Sequence, residues 1–489
     1  MLVQDKSLGR GYRKVFRFAH KKNLFERFYG NNTTAFIPEM WANEAVALLW
    51  ENMLYASLVH TDFKDEIAEF GRTVHTRSIG NFTAKRKQND LDDVEDQDIT
   101  ATDIAVVLNQ RAYNSFLVGD GQRSYAFKDL IAIYLEPAML ALARLLDQVV
   151  AGQVYQFLAN RAGGLDQLTS VNGHDFLLDS REVMNTLNVP EELRWMGLAT
   201  RSETYLQKTD LFKSAERRGD GGRALREALL GRVAGWNNFY SKNTPSVRGA
   251  TLATTTTTTA AALAGSSTVV VASATNLATG AYFTVAGDYT PLRVSALNTL
   301  TITTTRPLLR DVANGATVTP VATGLINQGS AIAAGDFTLS AATGYPAGWM
   351  KTIVVDGTGV PKVGQLVAFK TAAGAIHTAE YCIVQVISAT EFMLDRPLEQ
   401  AVLDNDIVCY GPSGDYNFGF RRGAIALVNR PIALPESGIG ARAAQAIANG
   451  MSMRVVMTYD GKKEATRINV GSLFGIKTLD VNQGLVMLG

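Results

Sequence analysis

Trp41, Ala45, Leu48, Leu49 and Met53 recur at three- and four-residue spacing, which predicts a helix with one buried face. Pro38 opens it, because a first helical turn has no use for the N–H that proline lacks. Thr73 to Ile79 alternates, and Ile99 to Val118 is an extended run rich in Val, Ile, Thr and Tyr; both predict long strands. Ser124 to Arg161 reads as helix, with Pro137 marking a kink or a fresh start. Beyond Pro137, the residues Leu142, Leu145, Leu146, Val149, Val150, Val154 and Phe157 make an apolar stripe over about five turns. Residues 165–240 are mixed. Phe176-Leu177-Leu178 reads as a short strand and Arg223 to Leu230 as helix. Near the end, Ala424 to Val428 and Met453 to Tyr459 read as strands and Ala441 to Ala448 as helix.

At about residue 249 the pattern changes. Only six charges, Asp288, Arg293, Arg306, Arg310, Asp311 and Asp336, fall between Gly249 and Met350. Threonine, valine, glycine and alanine dominate there, in short alternating runs that predict an all-β region. Arg306-Pro307-Leu308 recurs as Arg396-Pro397-Leu398, and Val312 and Val318 recur as Val402 and Val408, all at an offset of 90 residues. Two tandem β modules, 250–322 and 323–413, are the expectation.

Charge sharpens this picture locally. The chain of 489 residues carries 47 basic and 46 acidic side chains, a net +1, which excludes a surface basic all over. Residues 1–30 nevertheless carry a local net of +6, with six aromatics interleaved. That segment reads first as an arm whose aromatics dock on a neighbouring surface while Arg10, Arg13, Lys14, Arg17, Lys21 and Lys22 stay solvated, and second as an arm whose charges also face nucleic-acid phosphate. Between the two long strands lies a tip of segregated charge. Lys85, Arg86 and Lys87 come first; Asp90, Asp92, Asp93, Glu95, Asp96 and Asp98 follow. Such a tip has no core of its own and is either solvated or laid across another subunit. No apolar run reaches membrane-spanning length, and charges replace a signal peptide's apolar core at the N-terminus, so a protein made inside the cell is expected.

Nothing in the sequence points to chemistry. His20, His60, His75, His174 and His377 are scattered, and no two have metal-ligand spacing. Cys382 and Cys409 lie in apolar contexts and read as small buried hydrophobes. The acidic tip lacks the glycine and terminal glutamate of a calcium-binding EF-hand loop. Gly438-Ile439-Gly440-Ala441-Arg442-Ala443 mimics a dinucleotide fingerprint ahead of the expected 441–448 helix. Pro431 to Ser437 separates it from the preceding strand, and too little chain follows for a doubly wound sheet. No catalytic residue, cofactor or metal is expected.

The order of parts resembles the major capsid protein of tailed double-stranded DNA phages, the HK-ninety-seven fold, and within it the P-twenty-two type of coat protein with an inserted β domain. The resemblance rests on Phe36-Ile37-Pro38-Glu39-Met40-Trp41-Ala42, Gly71-Arg72-Thr73-Val74, Tyr134-Leu135-Glu136-Pro137-Ala138-Met139, Val233-Ala234-Gly235-Trp236, and Arg421 to Leu434. It implies an α+β fold with an N-terminal arm (1–35), a peripheral domain with a spine helix (36–72 and 119–164), an extended loop (73–118), an axial domain (165–248 and 414–489) and an inserted β region (249–413). It implies self-assembly into hexamers and pentamers of an icosahedral shell. The implied partners are a scaffolding protein, a portal protein, packaged DNA and a decoration protein, with no membrane. The implied location is the virion, assembled in the bacterial cytoplasm. The insertion departs from the pattern by holding two modules where one is expected. The alternative is an adhesin-like binding protein that uses these modules.

Overall fold

The computed structural model describes residues 38–61, 73–79, 84–87, 93, 96–98, 101–121, 134–213, 230–328, 344–357, 359–436, 441–448 and 450–489. The basic arm and the 223–229 stretch expected to be helical lie outside them.

Helix α1 (Pro38–Asn52) buries Trp41, Ala45 and Leu49 at 1% exposure or less. A single turn, α2 (Tyr55–Leu58), follows. Strands β1 (Thr73–Ile79) and β2 (Ala101–Val107) form an antiparallel hairpin, in register from Thr73–Val107 to Ile79–Ala101. The long run to Val118 is not one strand: it breaks after Val107, and β3 (Gln110–Gly119) joins a different sheet. The spine, α3 (Glu136–Gly152), tightens into a 3-10 turn at Gln153–Phe157 and gives way to β4 (Arg161–Gly163). Within α3, Asp147 accepts backbone N–H bonds from Leu54 (2.8 Å) and Ala56 (3.1 Å), so it caps α2 from the side.

Burial pushes the Asp147 carboxyl up to about 6, against the pull of those donors. A carboxyl raised on folding stabilises the fold at low pH, and that contribution is lost as pH rises through the folded value. Relative to Asp147→Asn, whose side chain does not titrate, the wild-type chain should lose about 3 kcal/mol between roughly pH 4 and 7. Urea unfolding across that window measures this; parallel profiles for the two proteins would contradict it.

Next come α4 (Gly173–Thr186), β5 (Arg194–Leu198), α5 (Thr200–Lys208), β6 (Arg232–Val233), β7 (Trp236–Tyr240) and β8 (Ser246–Val247). Phe176-Leu177-Leu178 lies in α4 rather than in a strand. Phe176, Leu177, Ser180 and Met184 line its buried face, and a three-residue apolar run carries no period of its own. The β6–β7 turn holds Ala234 (φ 52°) and Gly235 (φ 81°), both left-handed, as a two-residue hairpin loop requires.

The inserted region forms two six-stranded sheets. The first contains β9 (Thr256–Thr257), β10 (Thr268–Val270), β11 (Tyr282–Val285), β12 (Leu292–Asn298), β13 (Thr301–Thr304) and β14 (Thr317–Pro320), in the order β10-β13-β12-β11-β14-β9. The second contains β15 (Thr323–Leu325), β17 (Ile353–Val354), β18 (Leu366–Lys370), β19 (Ile376–Ser388), β20 (Glu391–Leu394) and β22 (Ile407–Tyr410), in the order β17-β20-β19-β18-β22-β15. A small ladder, β16 (Gly344–Tyr345) with β21 (Val402–Leu403), flanks it. The two orders are the same. Each sheet also closes on itself: Thr258 bridges to Val271 in the first, and Ile326 to Val355 in the second. Both are therefore closed barrels, and closure pairs the edges that their described outermost strands would otherwise expose.

The chain then returns in two directions. Strands β23 (Gly414–Arg421) and β28 (Gly484–Leu488) enter a seven-stranded sheet, β4-β28-β23-β5-β7-β6, with β8 alongside β23. Its core is Phe176, Leu177, Met196, Leu206, Trp236, Leu485 and Met487. Strands β24 (Ile425–Arg430), β25 (Ala441–Ala448), β26 (Met451–Asp460) and β27 (Ala465–Thr478) form a second sheet, β24-β27-β26-β25, in which β3 pairs along β27. Helix α1 lies against β25 and β26 and also against α3. The expectation that 414–489 serves one domain is thus corrected: 425–478 belongs to the sheet that carries α1. Ala441–Ala448 is a strand, not a helix, paired to β26 through all eight residues. The dinucleotide-like stretch therefore opens no helix.

Candidate assembly surface

The β1–β2 hairpin is rooted by Val74, Val106 and Leu108, which pack on Ala426 and Val428 of β24 with Leu473 and Leu479 at the margin. Gly475 lets the root sit close: a Cβ there would meet the Val107 carbonyl oxygen at 2.4 Å. Above the root, neither strand pairs with any other described strand. The hairpin thus presents two open backbone edges. His75 Nδ1 lies 2.6 Å from Asp103 Oδ2 across the ladder, with both side chains about 60% exposed.

At the tip, Lys85, Arg86, Lys87, Asp93 and Asp96 are exposed, as is Asp98. Asp90, Asp92 and Glu95 lie outside the described residues, as do Arg10, Arg13, Lys14, Arg17, Lys21 and Lys22 of the arm. The root residues went unread in the sequence; the Val106-Val107-Leu108 run was the signal available.

The second barrel is tied to the 3-10 turn that ends α3. Gln153 donates to Asp395 (3.1 Å), Gln156 donates to the Glu380 carbonyl (3.2 Å), and the Tyr155 hydroxyl donates to the Gly364 carbonyl. The barrels also hold each other. Tyr282 of the first donates to Glu380 of the second (2.7 Å), and Arg306 pairs with the same carboxylate. Arg293 reaches the carbonyls of His377 (2.9 Å) and Phe369 (3.2 Å).

Other candidate chemistry stays apart. Cys382 and Cys409 are both buried and free. Burial raises the Cys382 thiol well above its ordinary range and the Cys409 thiol to about 11, which disfavours the reactive thiolate. Among the described residues, no three His, Cys, Asp or Glu side chains gather as a metal site. No described helix is long and apolar enough to cross a membrane.

These features define a mixed α+β protein with a projecting hairpin, a long spine helix and two closed barrels inserted between the strands of its sheets. No family model and no curated protein matches the chain. Solved structures do show similarity. That of Mycobacterium phage Che8 is 13% identical, with a TM-score of 0.42, over 89% of this chain and 90% of that one. The capsid structure of Cyanophage P-SCSP1u is 11% identical, with a TM-score of 0.43, over 94% and 90%. The mature capsid of bacteriophage PhiM1 is 7% identical, with a TM-score of 0.38, over 86% and 82%.

Proposed function

We propose that this chain is the major capsid subunit of a tailed double-stranded DNA phage, self-assembling into hexamers and pentamers of a closed shell. The observation that carries this reading is the β1–β2 hairpin. A two-stranded ribbon with two open edges and an exposed, charge-segregated tip is marginal in water by itself. A neighbouring copy that covers it removes the liability. On this reading the intersubunit loop, expected at 73–118, is limited to 73–107 because β3 pairs along β27, and Lys85, Arg86, Lys87, Asp90, Asp92, Asp93, Glu95 and Asp96 set its register. Helix α3 is the spine, and the seven-stranded sheet forms the axial domain. Opposite charges at such a contact select partner and register more than they add affinity. A scaffolding protein, a portal protein and packaged DNA are the further partners the reading calls for, with the basic arm facing DNA or scaffold.

The test is negative-stain electron microscopy of the protein expressed alone and with a candidate scaffold. Closed shells, aberrant shells or sheets of capsomers are expected. Monomers or small oligomers under every condition would overturn the reading.

A further inference from the structure

The sheet that carries α1 has a second face, and its composition is specific. Pairing registers align Tyr113 with Gly471, Arg454 and Gln445 across β3, β27, β26 and β25. The next row outward is Ser115, Asn469, Val456 and Ala443, the third is Leu117, Arg467, Thr458 and Ala441, and Gly119, Ala465 and Asp460 close the face. Arg111 begins the face beside Leu473. Residues of the opposite parity, among them Ala112, Val118, Ile468, Val470, Val455 and Met457, are buried in the main core. This face is therefore the one turned away from the core. The hairpin root covers its β24 end, and residues 431–434 border the Gly471 row, where Arg454 donates to the Ala433 carbonyl (2.6 Å). Beyond them the face is open: Arg111, Ser115 and Arg467 are exposed, and Tyr113 is 67% exposed.

Every polar side chain in the first three rows can donate a hydrogen bond, and the outermost row adds a single carboxylate, Asp460, against Arg111, Arg454 and Arg467. Arg111 and Arg454 are close enough that their like charges, after burial, lower the Arg454 value. Asp460 lies 3.7 Å from Arg467 on this face, and Glu464 follows at the β26–β27 turn. A field of Arg, Ser, Thr, Asn, Gln and Tyr, with Gly, Ala, Val456 and Leu117 between them, presents the groups that contact nucleic-acid phosphates. It has no array of base-reading side chains on a helix or ribbon shaped for a groove.

We propose that this face is a second, sequence-independent contact surface for the phosphate backbone of double-stranded DNA, distinct from the basic arm. The proposal deepens the capsid reading by assigning the DNA partner a surface within the folded sheet. The occupant is DNA rather than an acidic protein segment because the neutral donors, as well as the arginines, suit phosphate oxygens spaced densely along a duplex.

The test uses unassembled full-length protein and a labelled random-sequence DNA duplex, with anisotropy titrations across a series of NaCl concentrations. The variant Arg111→Gln/Arg467→Gln removes two exposed charges and touches no buried contact named above. Its slope of log affinity against log salt is expected to be shallower by about one per arginine, about two in all. Lys351→Gln, an exposed charge on the second barrel, should leave the slope unchanged. An unaltered slope in the double variant, or an equal change with Lys351→Gln, overturns the proposal. So does a double variant that binds DNA normally but no longer assembles, which would assign the face to a neighbouring copy. Should the wild-type chain form no shells at all, the capsid reading falls, while the salt slopes still report on this face.

Discussion

Deletion of residues 83–98 is expected to leave a folded chain that forms no closed shell. The paired strands survive the cut: β1 ends at Ile79 and β2 starts at Ala101, so residues 80–82 and 99–100 remain to close a five-residue hairpin loop. Such a loop is of ordinary length. The root of Val74, Val106 and Leu108 on Ala426 and Val428 is untouched. The described residues removed, 84–87, 93 and 96–98, are exposed or at most half-buried, and exposed positions change stability by about 0.5 kcal/mol or less. What disappears is the charged segment that contacts the neighbour on the capsid reading. Thermal unfolding of the variant should therefore match the wild-type chain, while sedimentation and electron microscopy find only subunits and open assemblies. Ordinary shells from the deleted chain would refute the role given to the tip. A collapsed melting transition would mean instead that the tip belongs to the fold.

The parts legible in the sequence were those with a strong local period. Helix α1 and the post-Pro137 spine bury long stripes at helical spacing, and tertiary packing agrees with propensity there. Ala441–Ala448 misled because alanine favours helix when nothing else decides, whereas here β26 offers eight partners. The alternation was present: Ala444 and Ala446 are buried, while Gln445 and Ile447 are exposed. The duplication was visible only from Val294, within β12, onward, for a physical reason. Gly280 and Gly364 hold equivalent positions, each donating to a carbonyl of the following long strand, yet they are 84 residues apart rather than 90. The extra residues enter around the β18–β19 hairpin, where β19 runs 13 residues against 7 in β12. Upstream of that point the two copies fall out of step. Contacts such as Tyr282 to Glu380 span 98 positions and leave no local trace.

That contact carries the second large effect. Glu380 is 8% exposed, and two groups of the first barrel converge on it: the Tyr282 hydroxyl and the Arg306 guanidinium, itself 17% exposed. Glu380→Ala strands the arginine charge and a buried phenol at the junction of the barrels, and breaking a buried pair from one side costs about 3–5 kcal/mol. Arg306→Met combined with Glu380→Leu removes both charges together and should cost far less, because the desolvation penalty leaves with the attraction. Urea unfolding of the three proteins decides between them. If Glu380→Ala equals the wild-type chain, the pair does not join the barrels. If the double variant is as damaged as the single one, packing around Glu380 matters and the charges do not. The expected ordering would mean that the charge pair helps hold the two barrels together. Arg306 and Arg396 are equivalent in the repeat, yet they reach Glu380 in different ways: Arg306 pairs with the carboxylate, and Arg396 donates to the backbone carbonyl (2.6 Å) and stacks on Tyr381. Equivalent arginines of the repeat thus serve different ends: Arg306 holds the joint between barrels, and Arg396 braces β19 within its own barrel.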